Sequence, residues 1–299
     1  MTTFRFGDFE WDEAKARTNL RKHGVSFSEA ATCFLDPAAF SAPDKQYPER
    51  FILIGLSRQL RVLFVVSAEA VERYRTRYPA LRNDILFTPT WMDPTYYHVP
   101  SSNDRIVARR QLRRVLRLPQ DAIVGVSVGR LDLSKDPELL LQAFLLLKCR
   151  YEHLYCVWVG EGILREKIEH LIDMYRLDRF ILLGQLDAKA IASVHHGSDF
   201  YVSSASYEGM SIALLEAQAC GLPAVVPRVG EADRTVFEGK SGAIVKDRTP
   251  EGFVETISLL LNSLSQYRAE NCARSVARYS ASVVVQSIYG STTSKSRCA

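Results

Sequence analysis

Glu208 and Glu216 stand with seven residues between them in SYEGMSIALLEAQACGLPAVVP, the stretch from Ser206 to Pro227. Glu208 falls in a Gly-containing loop, and Glu216 in an apolar helix that ends at the Cys220-Gly221-Leu222-Pro223 corner. Upstream, VGRLDLSKDP sets Arg130 and Lys135 just beyond an apolar, β-branched run. Two cations and two carboxylates suit a sugar carried on a nucleoside diphosphate. The cations neutralise phosphates. Arg offers a planar fork and Lys a point charge. The carboxylates accept hydrogen bonds from hydroxyls. The plain alternatives are surface salt bridges for the cations and a helix-surface acid for Glu216.

These residues need a scaffold, and the sequence outlines one. From Ile85 onward apolar β-branched runs alternate with helical stretches. Strands are predicted at Ile123–Val128, Tyr155–Val159, Phe180–Leu183, Phe200–Val202, Ala224–Val226 and Ala243–Val245. Helices are predicted at Pro137–Lys148, Leu164–Tyr175, Ala188–His195, Thr249–Leu261 and Leu264–Tyr279. The alternation implies a parallel sheet covered on both faces, with ligands at the carboxyl ends of its strands. Gly129, Gly160, Gly162 and Gly184 each follow a predicted strand, and Gln185 comes next to the last of them. Gly209, Met210, Ser211 and Ile212 open the Glu216 helix, where free N–H groups can meet phosphate oxygens.

The 299 residues allow about two domains. A net charge of +4 is too small to argue for nucleic acid or membrane. The charge is clustered, however, in Arg105, Arg109, Arg110, Arg113, Arg114 and Arg117. That cluster reads as a solvated helix face, or as a patch for peripheral contact with anionic lipid or another polyanion. Six scattered cysteines (Cys33, Cys149, Cys156, Cys220, Cys272, Cys298) lack paired or metal-ligand spacing, so free thiols in a cytoplasmic setting are expected and no metal site is. The N-terminus carries no signal-peptide pattern, and no run reaches the length of a spanning helix.

Taken together and in order, FTPTWMDP, VGRLDLSKDP, VWVGEGILREKIE, FILLGQ, the YEGMSIALLEAQACGLPAVVP block and GKSGAIV resemble the donor-binding domain of family 4 glycosyltransferases of the GT-B fold, over about residues 64 to 290. The resemblance implies an α/β fold, one Rossmann-like half of GT-B. It implies that Arg130, Lys135 and Glu208 act at the diphosphate and the transferred sugar. Glu216 would take the ribose, and Gly129, Gly160, Gly162, Gly184, Gln185, Gly209, Met210, Ser211 and Ile212 would line the donor pocket. It also implies retaining transfer from a nucleoside-diphosphate sugar without cofactor or metal, and puts Trp91 and Asp93 in an interdomain linker. A GT-B enzyme has a second domain of roughly 150 residues for the acceptor. Only its tail is legible here, so donor binding is expected ahead of turnover. Apolar surface around Tyr279, Val283–Val285 and Tyr289 is expected to be exposed or to pack on the N-terminal segment.

Before that region, helical character over Asp12–Ala31 breaks at Gly24, and a hairpin is predicted from Phe51–Ile54 and Val62–Val66. FEWDEAKARTNLRKHGVSFSEAA, Asp36-Pro37 and ERFILIGLSRQLRVLFVV resemble the BrnT family of RelE-fold ribonuclease toxins, over about residues 6 to 66. Lys22 and His23 would then be an acid–base pair on RNA, or simply cations closing a helix C-terminus. The family's last strand and Arg-rich segment are not found beyond the hairpin. The expected organisation is an incomplete BrnT-like α+β segment at 1–67, an acceptor-domain remnant and linker at 68–100, the donor domain at 101–290 and a disordered tail at 291–299.

Overall fold

Ile123–Val128 shows why the main sheet is buried on both faces. Val124 and Val126 point into one apolar cluster, while Gly125 on the other side leaves room for the ring of Phe200, whose Cζ would lie 2.5 Å from an added Cβ. A strand covered on both faces reads as a near-continuous apolar run, the pattern of a parallel sheet between helices. A computed structural model of the chain describes residues 3–6, 9–23, 26, 40–43, 51–54 and 91–284. The chain divides into two compact units, Met1–Leu86 and Phe87–Ala299.

In the first unit, β1 (Thr3–Phe6) pairs antiparallel with β2 (Phe9–Asp12), and α1 (Glu13–His23) follows. Asp12, expected to open the helix, instead pairs with Thr3 across the hairpin. β3 (Phe40–Pro43) pairs antiparallel with β4 (Phe51–Ile54). The strand at Phe51–Ile54 is thus present, with a partner that precedes it. Val62–Val66, its expected partner, lies outside the described residues, as does the helical stretch beyond Gly24 apart from Ser26.

The second unit runs α2 (Ser102–Val115), β5 (Ile123–Val128), α3 (Pro137–Leu147), β6 (Leu154–Val159), α4 (Arg165–Met174) and β7 (Phe180–Gly184). It continues with α5 (Ala188–Gly197), β8 (Phe200–Val202), α6 (Ile212–Ala219), β9 (Ala224–Pro227), α7 (Ala232–Thr235), β10 (Gly242–Val245), α8 (Pro250–Asn262) and α9 (Ala269–Val276). The six strands pair in parallel in the order β10-β9-β8-β5-β6-β7. One face packs Leu140, Leu141, Phe144, Ile168, Phe253 and Ile257 from α3, α4 and α8. The other packs Leu112, Val194, Leu214 and Ala217 from α2, α5 and α6. Each fully buried Leu, Ile or Phe stabilises the fold by about 1.5–3 kcal/mol.

The chain builds outward from β5 in one direction through β6 and β7, then returns to β5's other side with β8. That reversal falls between β5 and β8, and sheets of this kind hold ligands at the carboxyl ends of the strands on either side of such a point.

The arginine cluster serves the fold's opposite end. Arg105, Arg109 and Arg113 recur every fourth residue on α2 and turn inward. Arg105 donates to Ser198 O and Cys220 O, both at 3.2 Å, and these carbonyls cap the ends of α5 and α6. Arg113, 1% exposed, donates to Gly197 O at 2.8 Å, Ala122 O at 3.1 Å and Asp199 Oδ2 at 2.7 Å. Asp199 also pairs with Arg109 and accepts from Val124 N at 2.8 Å. Helix C-termini carry partial negative charge, so half-buried guanidinium groups belong there. A wholly solvated face or a six-arginine surface patch does not fit this arrangement; Arg110, Arg114 and Arg117 are the exposed members.

The expected continuous helix over Leu264–Tyr279 is interrupted. A 3-10 turn covers Leu264–Gln266, Tyr267 is extended, and α9 starts at Ala269. The break lets Leu264 and Tyr267 pack on the α3/α8 side while Val276 and Tyr279 join Met92 and Tyr97 in a third cluster. Of the surface expected to be exposed or to pack on the N-terminal segment, Tyr279 and Val284 are 3% and 1% exposed, Tyr279 packing with Met92 and Tyr97, while Val283 is exposed. Val285 and Tyr289 lie outside the described residues. No helix among the described residues is long and apolar enough to cross a membrane.

Candidate functional site

The loop leaving β5 is folded by its own side chains. Asp132 Oδ1 accepts from Ser134 N at 3.0 Å, Ser134 Oγ at 2.6 Å and Lys135 N at 3.1 Å, an Asx-type turn. Arg130 Nη2 lies 2.9 Å from Asp132 Oδ2, and its side chain is 65% exposed. Asp136 is left-handed at φ 47° and caps α3 through Leu139 N. It is tied down by Arg248, and Ser204 Oγ reaches the carbonyls of Lys135 at 2.8 Å and Asp136 at 2.7 Å. Lys135 therefore rises from a clamped backbone, its stem lying over Gly129, where an added Cβ would come within 3.3 Å of Lys135 Cδ.

The loop leaving β8 delivers Glu208 to the same place. Its carboxylate forms an ion pair with Lys135 Nζ. The Glu208 side chain is 8% exposed and that of Lys135 is 23% exposed. Burial lowers the Lys135 pKa, Asp132 pulls it back up, and Arg130 lowers it further, so the two cations feel each other. Gly230, at φ 56°, backs this loop; a Cβ there would fall 2.3 Å from Gly209 O and 2.7 Å from Glu208 O.

Three neighbouring loops are laced together beside it. Gly129 N donates to Val159 O at 2.9 Å, Gly160 N to Gly184 O at 2.8 Å and Leu131 N to Glu161 O at 2.9 Å, while Trp158 Nε1 holds Gly129 O at 2.9 Å. Gly160 has φ 137°, and a Cβ there would stand 2.1 Å from Gly129 O. Gly160→Ala is expected to cost about 1–3 kcal/mol of stability and to part the Gly129 and Gly160 loops. Denaturant unfolding checks this, and a midpoint equal to wild type would contradict it.

Gly162 and Gln185 are exposed at the rim, and Gly184 is buried. Ser211 caps α6 by accepting from Leu214 N, which leaves Ile212 at the first helical position. Met210 is 8% exposed and packs inward with Leu215 and Tyr97. The structure thus gathers Arg130, Lys135 and Glu208 at one point, with the glycine loops alongside.

Glu216 faces a different set of neighbours. Tyr97, Tyr201 and Cys220 lie close enough to sense its charge. Burial raises the Glu216 pKa to about 7, and the nearby Tyr97 hydroxyl opposes part of that rise. Burial, with help from Glu216, pushes Tyr201 and Cys220 each up to about 12. Because Glu216 ionises near its ordinary 4.5 in the unfolded chain and near 7 in the fold, the folded chain keeps the proton longer. The stability this carboxyl contributes is complete below about 4.5 and is lost as pH rises through about 7. Glu216→Gln is therefore expected to remove a fall in Tm between those values, which thermal melts across pH would display. An unchanged fall would exclude Glu216 as its source.

Sequence reasoning passed over Asp132, Asp136, Ser204, Arg248 and Tyr97. Asp132 carried a local signal, an Asp placed two and three residues ahead of the groups it binds. Ser204 and Arg248 carried none, because they reach the Lys135 and Asp136 carbonyls and the Asp136 carboxylate, respectively, from other strands' loops.

Residues 108–275 match the family model described as glycosyl transferases group 1, and residues 11–77 match that of the ribonuclease toxin BrnT of type II toxin–antitoxin systems. The second match runs past Val66 to Arg77 and takes in VERYRTR, so it extends beyond the resemblance over residues 6 to 66. The chain is 33% identical over 183 residues to the D-inositol 3-phosphate glycosyltransferase of Corynebacterium urealyticum, covering 58% of this chain and 43% of that protein. It is 29% identical over 173 residues to the Mycolicibacterium smegmatis protein of the same description, covering 56% and 40%. It thus spans less than half the length of these curated relatives. Among solved structures, Anabaena Alr3699/HepE in complex with UDP and glucose superposes with TM-score 0.62 at 18% identity, covering 78% of this chain and 63% of that one. The C-terminal domain of a glycosyl transferase group 1 protein from Francisella tularensis superposes with TM-score 0.54 at 18% identity, covering 64% and 99%. The fold is that of a Rossmann-like GT-B half.

Proposed function

The chain belongs to the glycosyl transferases group 1 family, and we propose that its second unit binds a nucleoside-diphosphate sugar at the carboxyl edge of the sheet. The observation that carries this reading is the Lys135–Glu208 pair, made by loops leaving β5 and β8 where the strand order reverses. Lys135 and the exposed Arg130 take the diphosphate and stabilise its charge as the sugar departs. Glu208, released from Lys135 as phosphate arrives, accepts from sugar hydroxyls, and Glu216 accepts from the ribose. Backbone N–H groups at Gly209–Ile212 add to the phosphate site. Transfer with retention, as in family 4, is the reaction proposed for the intact pair of domains, and donor binding is the property this chain tests first.

UDP-sugars lead the donor series because the Anabaena protein binds UDP and glucose. Inositol phosphate leads the acceptors because of the relatives' names. Cys149, Cys156, Cys220 and Cys272 are unpaired, which accords with a cytoplasmic setting. Calorimetric titration with UDP-, GDP- and ADP-sugars tests the reading: one of them should bind, and no heat with any would refute it.

A second reading rests on the match of residues 11–77: a ribonuclease activity in which Lys22 and His23, at the end of α1, handle protons on RNA. Expression of the whole chain should then arrest growth, with relief by His23→Ala. Unimpeded growth would sink it.

A further inference from the structure

Among the described residues, three non-glycine positions have positive φ: Arg117, Asp136 and Arg176. Arg117 and Arg176 follow the ends of α2 and α4, where a left-handed residue is an ordinary way to close a helix. Asp136 instead opens α3, at φ 47° and ψ 63°, whereas the residue that caps a helix start normally has extended backbone. A conformation that glycine adopts freely persists at another residue only where the surroundings over-determine it.

Asp136 is held in that way. Its Oδ1 accepts from Leu139 N at 3.3 Å, and its N–H donates to Asp132 O at 3.0 Å. Its other carboxylate oxygen pairs with Arg248. Arg248 follows β10, which lies beyond β9 and β8 in the sheet, and it meets the β8 loop as well. Arg248 Nη2 donates to Ser204 O at 2.9 Å, and Nε donates to Ser204 O at 3.2 Å and Ala205 O at 3.3 Å. The backbone beside Arg248 is fixed by the start of α8, where Thr249 N donates to Asp247 O at 2.8 Å and Thr249 Oγ1 accepts from Gly252 N at 3.1 Å. One guanidinium therefore grips the residue after Lys135 and the loop that leads to Glu208. Ser206 N, donating to Ser134 O at 2.8 Å, ties the same two loops on the other side of Lys135.

We infer that Arg248 and Asp136 are positioning residues of the donor site: their pair is a strut that locks the Lys135 loop against the Glu208 loop and sets where the Lys135 ammonium stands. This rests on the donor-binding reading above and adds to it a residue from the loop after β10. The strut needs a planar fork, because one side chain meets a carboxylate and two carbonyls at once.

Charge and position pull in opposite directions at Asp136. Removing a negative charge next to Lys135 would, by Coulomb attraction alone, strengthen binding of a diphosphate. Losing the strut weakens it. Asp136→Asn separates the two effects, since Asn keeps the size, can still cap Leu139 N and tolerates left-handed backbone.

The test is calorimetric titration of the full chain with UDP, GDP and ADP, and competition by the matching nucleosides, for wild type, Asp136→Asn, Arg248→Met and the double variant. Asp136→Asn is expected to weaken the preferred diphosphate by roughly three- to tenfold while the nucleoside, which carries no phosphate, binds as before. Arg248→Met should cost at least as much, and the double variant no more than Arg248→Met, because both changes break one pair. Should Arg248→Met fail to fold, the Asp136→Asn result decides alone. An Asp136→Asn protein that binds the diphosphate as tightly as wild type, or more tightly, would overturn the inference, and so would an equal loss of nucleoside affinity. Wild-type protein that binds none of the three nucleotides would overturn the donor-site reading, and the inference with it.

Discussion

Lys135→Ala is expected to weaken donor binding by roughly ten- to a hundredfold, the range for losing a hydrogen bond to a charged group. The geometry argues for the upper part of that range. Lys135 stands on a backbone clamped by Ser204, Asp132 and the Asp136–Arg248 pair, so its ammonium is placed before any ligand arrives. Its removal also leaves the Glu208 carboxylate, 8% exposed, as an uncompensated negative charge facing the incoming diphosphate. Lys135→Arg should rescue only part of the loss, because a planar fork replaces a point charge over Gly129. Lys135→Ala with Glu208→Gln should bind better than Lys135→Ala alone. Titration calorimetry resolves all three, and equal affinities across the series would remove Lys135 from the site.

Arg113→Met should produce the largest loss of stability, about 3 kcal/mol or more. The guanidinium is 1% exposed and satisfies Gly197 O, Ala122 O and Asp199 at once. Methionine fills much of the volume but strands those acceptors. Asp199 keeps Arg109, which holds the cost towards the lower end of the 3–5 kcal/mol usual for breaking a buried pair. The network lies at the amino ends of β5 and β8, the far edge of the sheet from Lys135. Donor affinity of the folded variant should therefore match wild type. Urea unfolding measures the first effect and titration at low temperature the second; a stable variant, or one that folds but loses donor binding, would contradict this.

Much of the second unit was legible because a doubly covered sheet leaves a strong imprint. Ile123–Val128 and Leu139–Leu147 have few ways to avoid burial, and glycine follows three of the strands where loops must touch. Lys135 and Glu208 could be paired from sequence because strand ends in such a fold converge. What stayed hidden depends on long-range geometry. Ser204 matters through the Lys135 and Asp136 carbonyls and Arg248 through the Asp136 carboxylate, groups that the fold alone brings near them. The four-residue spacing of Arg105, Arg109 and Arg113 was present but read as charge at the surface, whereas their partners are the buried Asp199 carboxylate and backbone carbonyls, several of them at helix ends. The break at Tyr267 reflects two apolar clusters competing for one stretch of chain.

The most direct test is the crystal structure of the chain with UDP bound. The pyrophosphate should lie against Lys135 Nζ and the Arg130 guanidinium at the carboxyl ends of β5 and β8, with the ribose hydroxyls on Glu216. A nucleotide seated elsewhere, with the Lys135–Glu208 pair untouched, would contradict the account.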